Sequence, residues 1–126
     1  MKIFKTNDES WSEKVNFVDD NNVLVGFDMG TCCCESFGWF LSKDEPTKTE
    51  EEDEGAIDVD GFQFDVSFFK EITPDEEYWD QGGMAIFRLT KGEEEIFLAL
   101  HNSHNGHYSH GFKMEVGGAV IVDSLL

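Results

Sequence analysis

The sequence predicts an all-β protein, either an antiparallel sandwich or an open barrel, and three features of the chain support this prediction. Short runs rich in valine, isoleucine and phenylalanine alternate apolar with polar residues, which is the period of a half-buried strand. Turn-forming pairs such as Asn-Gly and Gly-Gly stand between these runs. Residues 95–101 are apolar on both faces, as expected of a central strand covered from two sides. A second layer of strands must therefore pack on the first.

The composition indicates a folded acidic domain, which we expect to span residues 1–126. Asp and Glu number 27 against 9 Lys and Arg, so the formal net charge is −18. This charge repels phosphate backbones and anionic membranes, so we expect no direct nucleic-acid or membrane partner. The first residues lack the apolar core of a signal peptide, and no apolar run is long enough to span a membrane. The sequence therefore predicts a cytoplasmic protein whose charged partners are basic.

The first third of the chain predicts four strands. Residues 2–5 suit a short edge strand, and residues 7–13 have capping residues that would allow one short helix. Two apolar runs flank Asp20-Asn21-Asn22, so we predict a hairpin there. Residues 32–42 alternate as a further strand. Its odd positions, which share a face, are Cys33, Phe37, Trp39 and Leu41.

The middle of the chain contains its one low-complexity stretch. Residues 43–54 hold no apolar side chain and end in a run of acids, which is typical of a flexible, solvated loop within the domain. Apolar residues recur mostly at every second position over residues 57–68. We therefore predict a strand or hairpin in that range, with Gly61 at a bulge or turn.

The last third predicts a four-stranded antiparallel meander over residues 84–126. Its three turns are placed at Lys91-Gly92, Asn105-Gly106 and Gly117-Gly118. The first turn sets Arg88 opposite Glu95, an opposite-charge pair that supports this register. One face would then hold Ala85, Phe87, Leu89, Ile96, Leu98 and Leu100, and the other Ile86, Phe97, Ala99, Phe112, Met114 and Ile121.

All four histidines lie around the Asn105-Gly106 turn. In the predicted hairpin His101 faces His110 and His104 faces His107, with the two pairs on opposite faces of the sheet. A third ligand from Cys33 or Cys34 would complete a zinc-type site, because neutral imidazole and thiolate are the donors that zinc prefers. The alternative is a polar hairpin tip in which the histidines bond to backbone and solvent. Spacing alone does not show whether the cysteines approach the histidines.

The same tip is dense in side chains that both donate and accept hydrogen bonds. The candidate binding residues are Asn102, Ser103, Asn105, Tyr108 and Ser109. Loops positioned by a rigid sheet often bind ligands, so we predict a non-enzymatic binding module for a small polar ligand or a protein partner, with a divalent metal as an optional cofactor. A metal- or thiol-dependent enzyme is an alternative. Glu35 disfavours the thiol mechanism, since a neighbouring carboxylate opposes thiolate formation.

A different class of function follows from the charge. The acidic groups at Glu50 to Glu54, at Asp75 to Glu77 and at Asp80 could imitate phosphate and occupy the site of a basic nucleic-acid-binding protein. Such an inhibitor would lose affinity steeply as the salt concentration rises.

Two short motifs, CCES at residues 33–36 and SHNGHYS at residues 103–109, resemble signatures of small uncharacterised bacterial and phage proteins. In that family a CCES-like strand precedes an SNGYYS-like hairpin. This chain departs from the pattern by having His107 in place of a tyrosine and by its third cysteine. The resemblance implies that the cysteine strand and the hairpin tip belong to one module, and it implies no catalytic residue.

Overall fold

The computed structural model describes residues 1–7, 13–28, 36–46, 58–72, 81–104 and 111–126. These residues form nine strands and contain no helix, so no described helix could cross a membrane. The strands are β1 (Lys2–Asn7), β2 (Glu13–Val18), β3 (Val23–Asp28), β4 (Ser36–Ser42), β5 (Gln63–Ile72), β6 (Gln81–Lys91), β7 (Glu94–His104), β8 (Gly111–Val116) and β9 (Ala119–Leu125).

The strands form two antiparallel sheets, which confirms the predicted all-β sandwich. Sheet A has the order β1-β2-β3-β8-β9, and sheet B has the order β4-β7-β6-β5. Aromatic side chains join the sheets: the Phe17 and Trp39 rings lie 5.0 Å apart edge to face, and the Phe87 and Phe112 rings lie 6.3 Å apart. The predicted edge strand at residues 2–5 is β1, at one margin of sheet A.

β7 is apolar on both faces because, as predicted, each of its faces is covered by other apolar side chains. The even residues Ile96, Leu98 and Leu100 pack in the core between the sheets. Phe97 and Ala99 belong to a second apolar cluster on the outer face of sheet B. The central position predicted for this strand is therefore confirmed, since β4 and β6 flank it on its two edges.

Local turn chemistry sets the ends of three hairpins. Asn22, with φ of 64°, closes the β2–β3 turn at the predicted place. Gly117 and Gly118 both have positive φ and close the β8–β9 turn, also as predicted. The β6–β7 turn falls on Gly92-Glu93, since Lys91 pairs with Glu94. The turn was predicted at Lys91-Gly92, one residue too early. Arg88 therefore pairs with Phe97, and the predicted pairing with Glu95 was wrong.

The prediction of a continuous four-stranded meander at residues 84–126 was wrong. β7 pairs with β4 on one edge and with β6 on the other, so it has no edge left for β8. β8 lies in the other sheet, between β3 and β9. His101 consequently pairs with Gly38 on one side and with Met84 on the other, so its two neighbours in the sheet differ from the predicted one. The chain crosses between the sheets after β7, so Phe112 and Met114 enter the core between the sheets instead of joining Ile86 on the outer face.

Several other predictions fall partly outside the described residues. The short helix was predicted over residues 7–13, but Asn7 and Glu13 pair as strand residues, and residues 8–12 lie outside the described residues. Residues 47–54 of the predicted acidic loop also lie outside the described residues. The strand predicted from residue 57 is β5, and Gly61, with φ of 81°, lies in the turn before it.

Candidate functional site

Asn102, predicted as a binding residue at an exposed tip, is fully buried. Its even position on β7 directs it between the sheets, where its amide nitrogen donates a hydrogen bond of 3.0 Å to the main-chain oxygen of Leu126. Leu126 is itself buried in the core. Asn102 therefore anchors Leu126 to β7, which is a packing role.

His101 occupies the outer face of sheet B and is half-buried. Its ring lies 6.0 Å from the Phe40 ring, between centroids, at a tilt of 45°. Among the described residues no group of three or more His, Cys, Asp or Glu side chains could hold a metal ion. The aromatic surroundings indicate that the ring of His101 contributes to packing.

The remaining predicted site residues are not described in full. Of Ser103 and His104 only the main chain is described, and these residues pair with Gly82 and Gln81 at the end of β6. Seven predicted site residues lie outside the described ranges: Cys33, Cys34, Asn105, His107, Tyr108, Ser109 and His110. The zinc site and the polar tip stay predictions.

A pocket of about 390 Å³ lies at the opposite end of the sandwich, beside the β6–β7 turn. We call it the acidic pocket, and its lining residues are Lys43, Asp58, Phe62, Glu94, Glu95 and Ile96. Phe62 and Ile96 are buried and form an apolar floor. Asp58, Glu94 and Glu95 are exposed carboxylates at its rim. The lining has three acids and one base, so its formal charge is −2.

A tight turn before β5 positions one wall of the acidic pocket. The Asp58 carboxylate accepts a hydrogen bond of 3.0 Å from the Asp60 N–H, and the Phe62 N–H donates to the Val59 carbonyl at 3.1 Å. Gly61, between Asp60 and Phe62, adopts a positive φ at which a residue with a side chain would be strained. This turn directs the Phe62 ring inward, so that Asp58 remains at the surface beside it.

The ring of Phe62 already faces a cation. The Lys91 ammonium nitrogen lies 5.8 Å from the centroid of this ring. A Cβ on Gly61 would come within 3.1 Å of the Lys91 side chain, so the glycine makes room for its apolar stem. An aromatic floor and a carboxylate rim together suit an amphipathic cation, because the ring attracts the charge and covers the methylene groups.

A second charged cluster lies on the outer face of sheet B, around the bulge of β5. Asp65 accepts hydrogen bonds from the Ser67 hydroxyl at 2.6 Å and from the Arg88 Nε at 3.0 Å. These bonds, that of Ser67 first, lower the pKa of Asp65 to about 2. The Arg88 guanidinium lies 4.8 Å from the Phe68 ring centroid, and Phe68 packs on Phe97. The cluster pairs its own charges and covers the outer apolar cluster.

A shallow depression of about 160 Å³ lies on the outer face of sheet A. Gly26 and Gly111 form part of its lining. Its charged residues are cross-strand partners, since Lys14 pairs with Asp28 and Lys113 with Asp123. Opposite charges at such positions stabilise a sheet, and they leave this depression without net charge.

The acidic pocket was not predicted from the sequence, because its walls come from three separate segments of the chain. The signal that could have located it is the run Glu93-Glu94-Glu95 next to a predicted turn. Comparisons with protein families, with curated proteins and with solved structures find no significant match to this chain.

Proposed function

We propose that this protein is a binding module that holds a lysine or arginine side chain of a basic partner protein in the acidic pocket. The observation that supports this proposal is the combination of a buried apolar floor with three exposed carboxylates around a volume of about 390 Å³. This volume falls within the range of about 300 to 1,000 Å³ that is usual for ligand pockets.

The floor and the rim contribute in different ways. Carboxylates at a rim attract a cation at long range and pair with it at short range, which favours fast association and the choice of a basic partner. Phe62 and Ile96 take up the methylene stem of the bound side chain, which a dispersed acidic surface cannot do. The pocket therefore prefers a lysine or arginine side chain to an inorganic cation.

The net charge of the whole chain also favours a basic protein as the partner. A charge of −18 raises the local concentration of a basic protein around this surface and accelerates the encounter. A phosphate-imitating inhibitor of a nucleic-acid-binding protein is one member of this class. Its predicted acidic stretches lie outside the described residues, whereas the acidic pocket lies within them.

Titration of the full chain with octalysine, followed by calorimetry, tests the proposal. We expect binding at about 20 mM salt that weakens markedly at about 150 mM salt, since screening shortens the range of the attraction. The double variant Asp58→Asn, Glu94→Gln removes two rim carboxylates without changing the shape of the pocket. It should bind octalysine about tenfold more weakly, a loss of about 1.4 kcal/mol.

The matched control is Glu71→Gln, Asp123→Asn, which removes the same two charges from exposed positions outside the pocket. Its affinity for octalysine should stay within about twofold of the parent value, because neither residue lines the acidic pocket and the attraction of a charge falls with distance. Equal losses in the two double variants would mean that attraction is diffuse and that the acidic pocket is not the site.

A further inference from the structure

We propose that the outer edge of β9 is a self-association surface, and that it pairs with β9 of a second copy of this chain. β9 is the last strand of sheet A, and no described strand bonds to its outer edge. The unpaired main-chain N–H and C=O groups along such an edge are a template for pairing with another strand. Antiparallel pairing about a two-fold axis would use the same edge on both copies and would extend sheet A across the dimer.

Exposed apolar side chains are concentrated on β9. Among the described residues five large apolar side chains are exposed, and three of them, Val120, Ile121 and Leu125, belong to this strand. Their exposed fractions are 51%, 48% and 66%. The register shift in the β8–β9 ladder leaves Ile121 without a partner on β8, since Val120 pairs with Glu115 and Val122 with Met114. Val120 and Ile121, which are adjacent in the chain, are therefore both exposed.

The other three sheet margins are protected, each by a recognised device. β1 has the exposed lysines Lys2 and Lys5, and lysine on an edge strand discourages pairing. Residues 38–42 of β4 are buried. β5 is interrupted by a register shift and has exposed Lys70 and Glu71 beyond it. β9 has one charged residue, Asp123, and no lysine.

The charge around β9 favours a second copy over a basic partner. Residues 111–126 contain Lys113, Glu115 and Asp123 as their charged residues, a formal total of −1 in a chain of −18. A basic segment therefore finds little to pair with at this edge. A neutral, β-branched strand is complementary to it, and another β9 is such a strand. The acidic pocket is formed by other elements, so this inference does not depend on the proposed function.

Dimerisation through β9 and the binding of a basic partner should respond to salt in opposite directions. Two chains of −18 repel each other over the whole molecule, and salt screens that repulsion. Dimers that form through β9 should therefore become more stable as the salt concentration rises. Binding of a basic partner should weaken over the same range.

Sedimentation velocity of the full chain, with reducing agent present to prevent cysteine cross-links, tests the proposal. We expect a concentration-dependent dimer that is stronger at about 500 mM than at about 50 mM sodium chloride. Amide hydrogen exchange at high and low protein concentration should show added protection in residues 119–125.

Val120→Lys and Val66→Lys are a matched pair of variants. They make the same substitution at residues that are 51% and 50% exposed, and each lowers the net negative charge by one. Val120→Lys should raise the dimer dissociation constant by about tenfold or more, whereas Val66→Lys should leave it unchanged or slightly lower. Because both variants reduce the overall repulsion, a loss in Val120→Lys alone must come from the edge itself.

Four results would overturn the inference. The first is a chain that stays monomeric at every salt and protein concentration tested. The second is a dimer that the two lysine variants affect equally. The third is a dimer that dissociates as salt is added. The fourth is a dimer without added protection in residues 119–125.

Discussion

A single carboxylate, that of Asp19, joins the two sheets. It is buried, and its Oδ1 accepts hydrogen bonds of 2.9 Å from the Asn21 and Val23 N–H groups, which closes the β2–β3 turn. Its Oδ2 accepts a bond of 2.8 Å from the Phe64 N–H at the start of β5. Three main-chain donors therefore depend on one side chain.

Replacement of Asp19 by alanine should leave the Val23 and Phe64 N–H groups buried without their partner. A buried unsatisfied donor costs about 1 to 3 kcal/mol, so we expect Asp19→Ala to lower the free energy of unfolding by about 3 kcal/mol in urea denaturation. Asp60→Ala is the control, because Asp60 is exposed, and it should change stability by about 0.5 kcal/mol or less. Similar values for the two variants would show that the Asp19 bonds contribute little.

At the scale of elements, the close approach of β5 and β6 depends on Gly83. A Cβ at this position would lie 2.9 Å from the Ile72 carbonyl oxygen, which is main chain and has little room to move. Gly111 on β8 is a glycine of a different kind. A Cβ there would meet a Leu125 methyl group at 3.6 Å, an ordinary contact.

Gly83→Ala should therefore destabilise the protein by about 2 kcal/mol, the usual cost of forcing an extra methyl group into a packed site. Gly111→Ala should be neutral or slightly stabilising, since glycine is unfavourable in a strand. Urea denaturation of both variants provides the measurement. If Gly83→Ala were as stable as Gly111→Ala, the end of β5 would have to be free to move away from β6.

At the scale of the whole molecule, the net charge of −18 opposes folding. Like charges lie closer together in the folded chain than in the unfolded chain, so their repulsion is a cost of compactness. Some acids are paired, as Asp65 is with Arg88 and Glu45 with Lys70. With 9 basic residues against 27 acids, however, most acids cannot be paired with a base.

We expect the urea midpoint to rise as sodium chloride is increased from about 20 mM to about 500 mM, because salt screens this repulsion. The slope of the unfolding free energy against urea should stay constant, which would mean that salt changes stability and not the surface exposed on unfolding. Potassium chloride should give the same increase. A midpoint that falls with added salt would mean that attractive ion pairs outweigh the repulsion.

Much of the local structure was predictable from neighbouring residues. The turns at Asn22 and at Gly117-Gly118 require positive φ, and the residues that tolerate it are visible in the sequence. The faces of β6 and β7 were predicted correctly although the turn was misplaced. Arg88 pairs with Phe97 where Glu95 was predicted, a difference of two residues, and a shift of two keeps every side chain on the same face.

The sequence by itself determined where most of the strands and turns fall and that the chain is strongly acidic, because propensity, period and charge are local properties. Only the tertiary structure decided what each strand pairs with. An Asn-Gly pair after β7 signals a turn, but β4 and β6 already occupy both edges of β7, so the chain crosses to the other sheet. The acidic pocket and the open edge of β9 follow from the same non-local pairing, which places Phe62 beside Ile96 and leaves β9 at a margin.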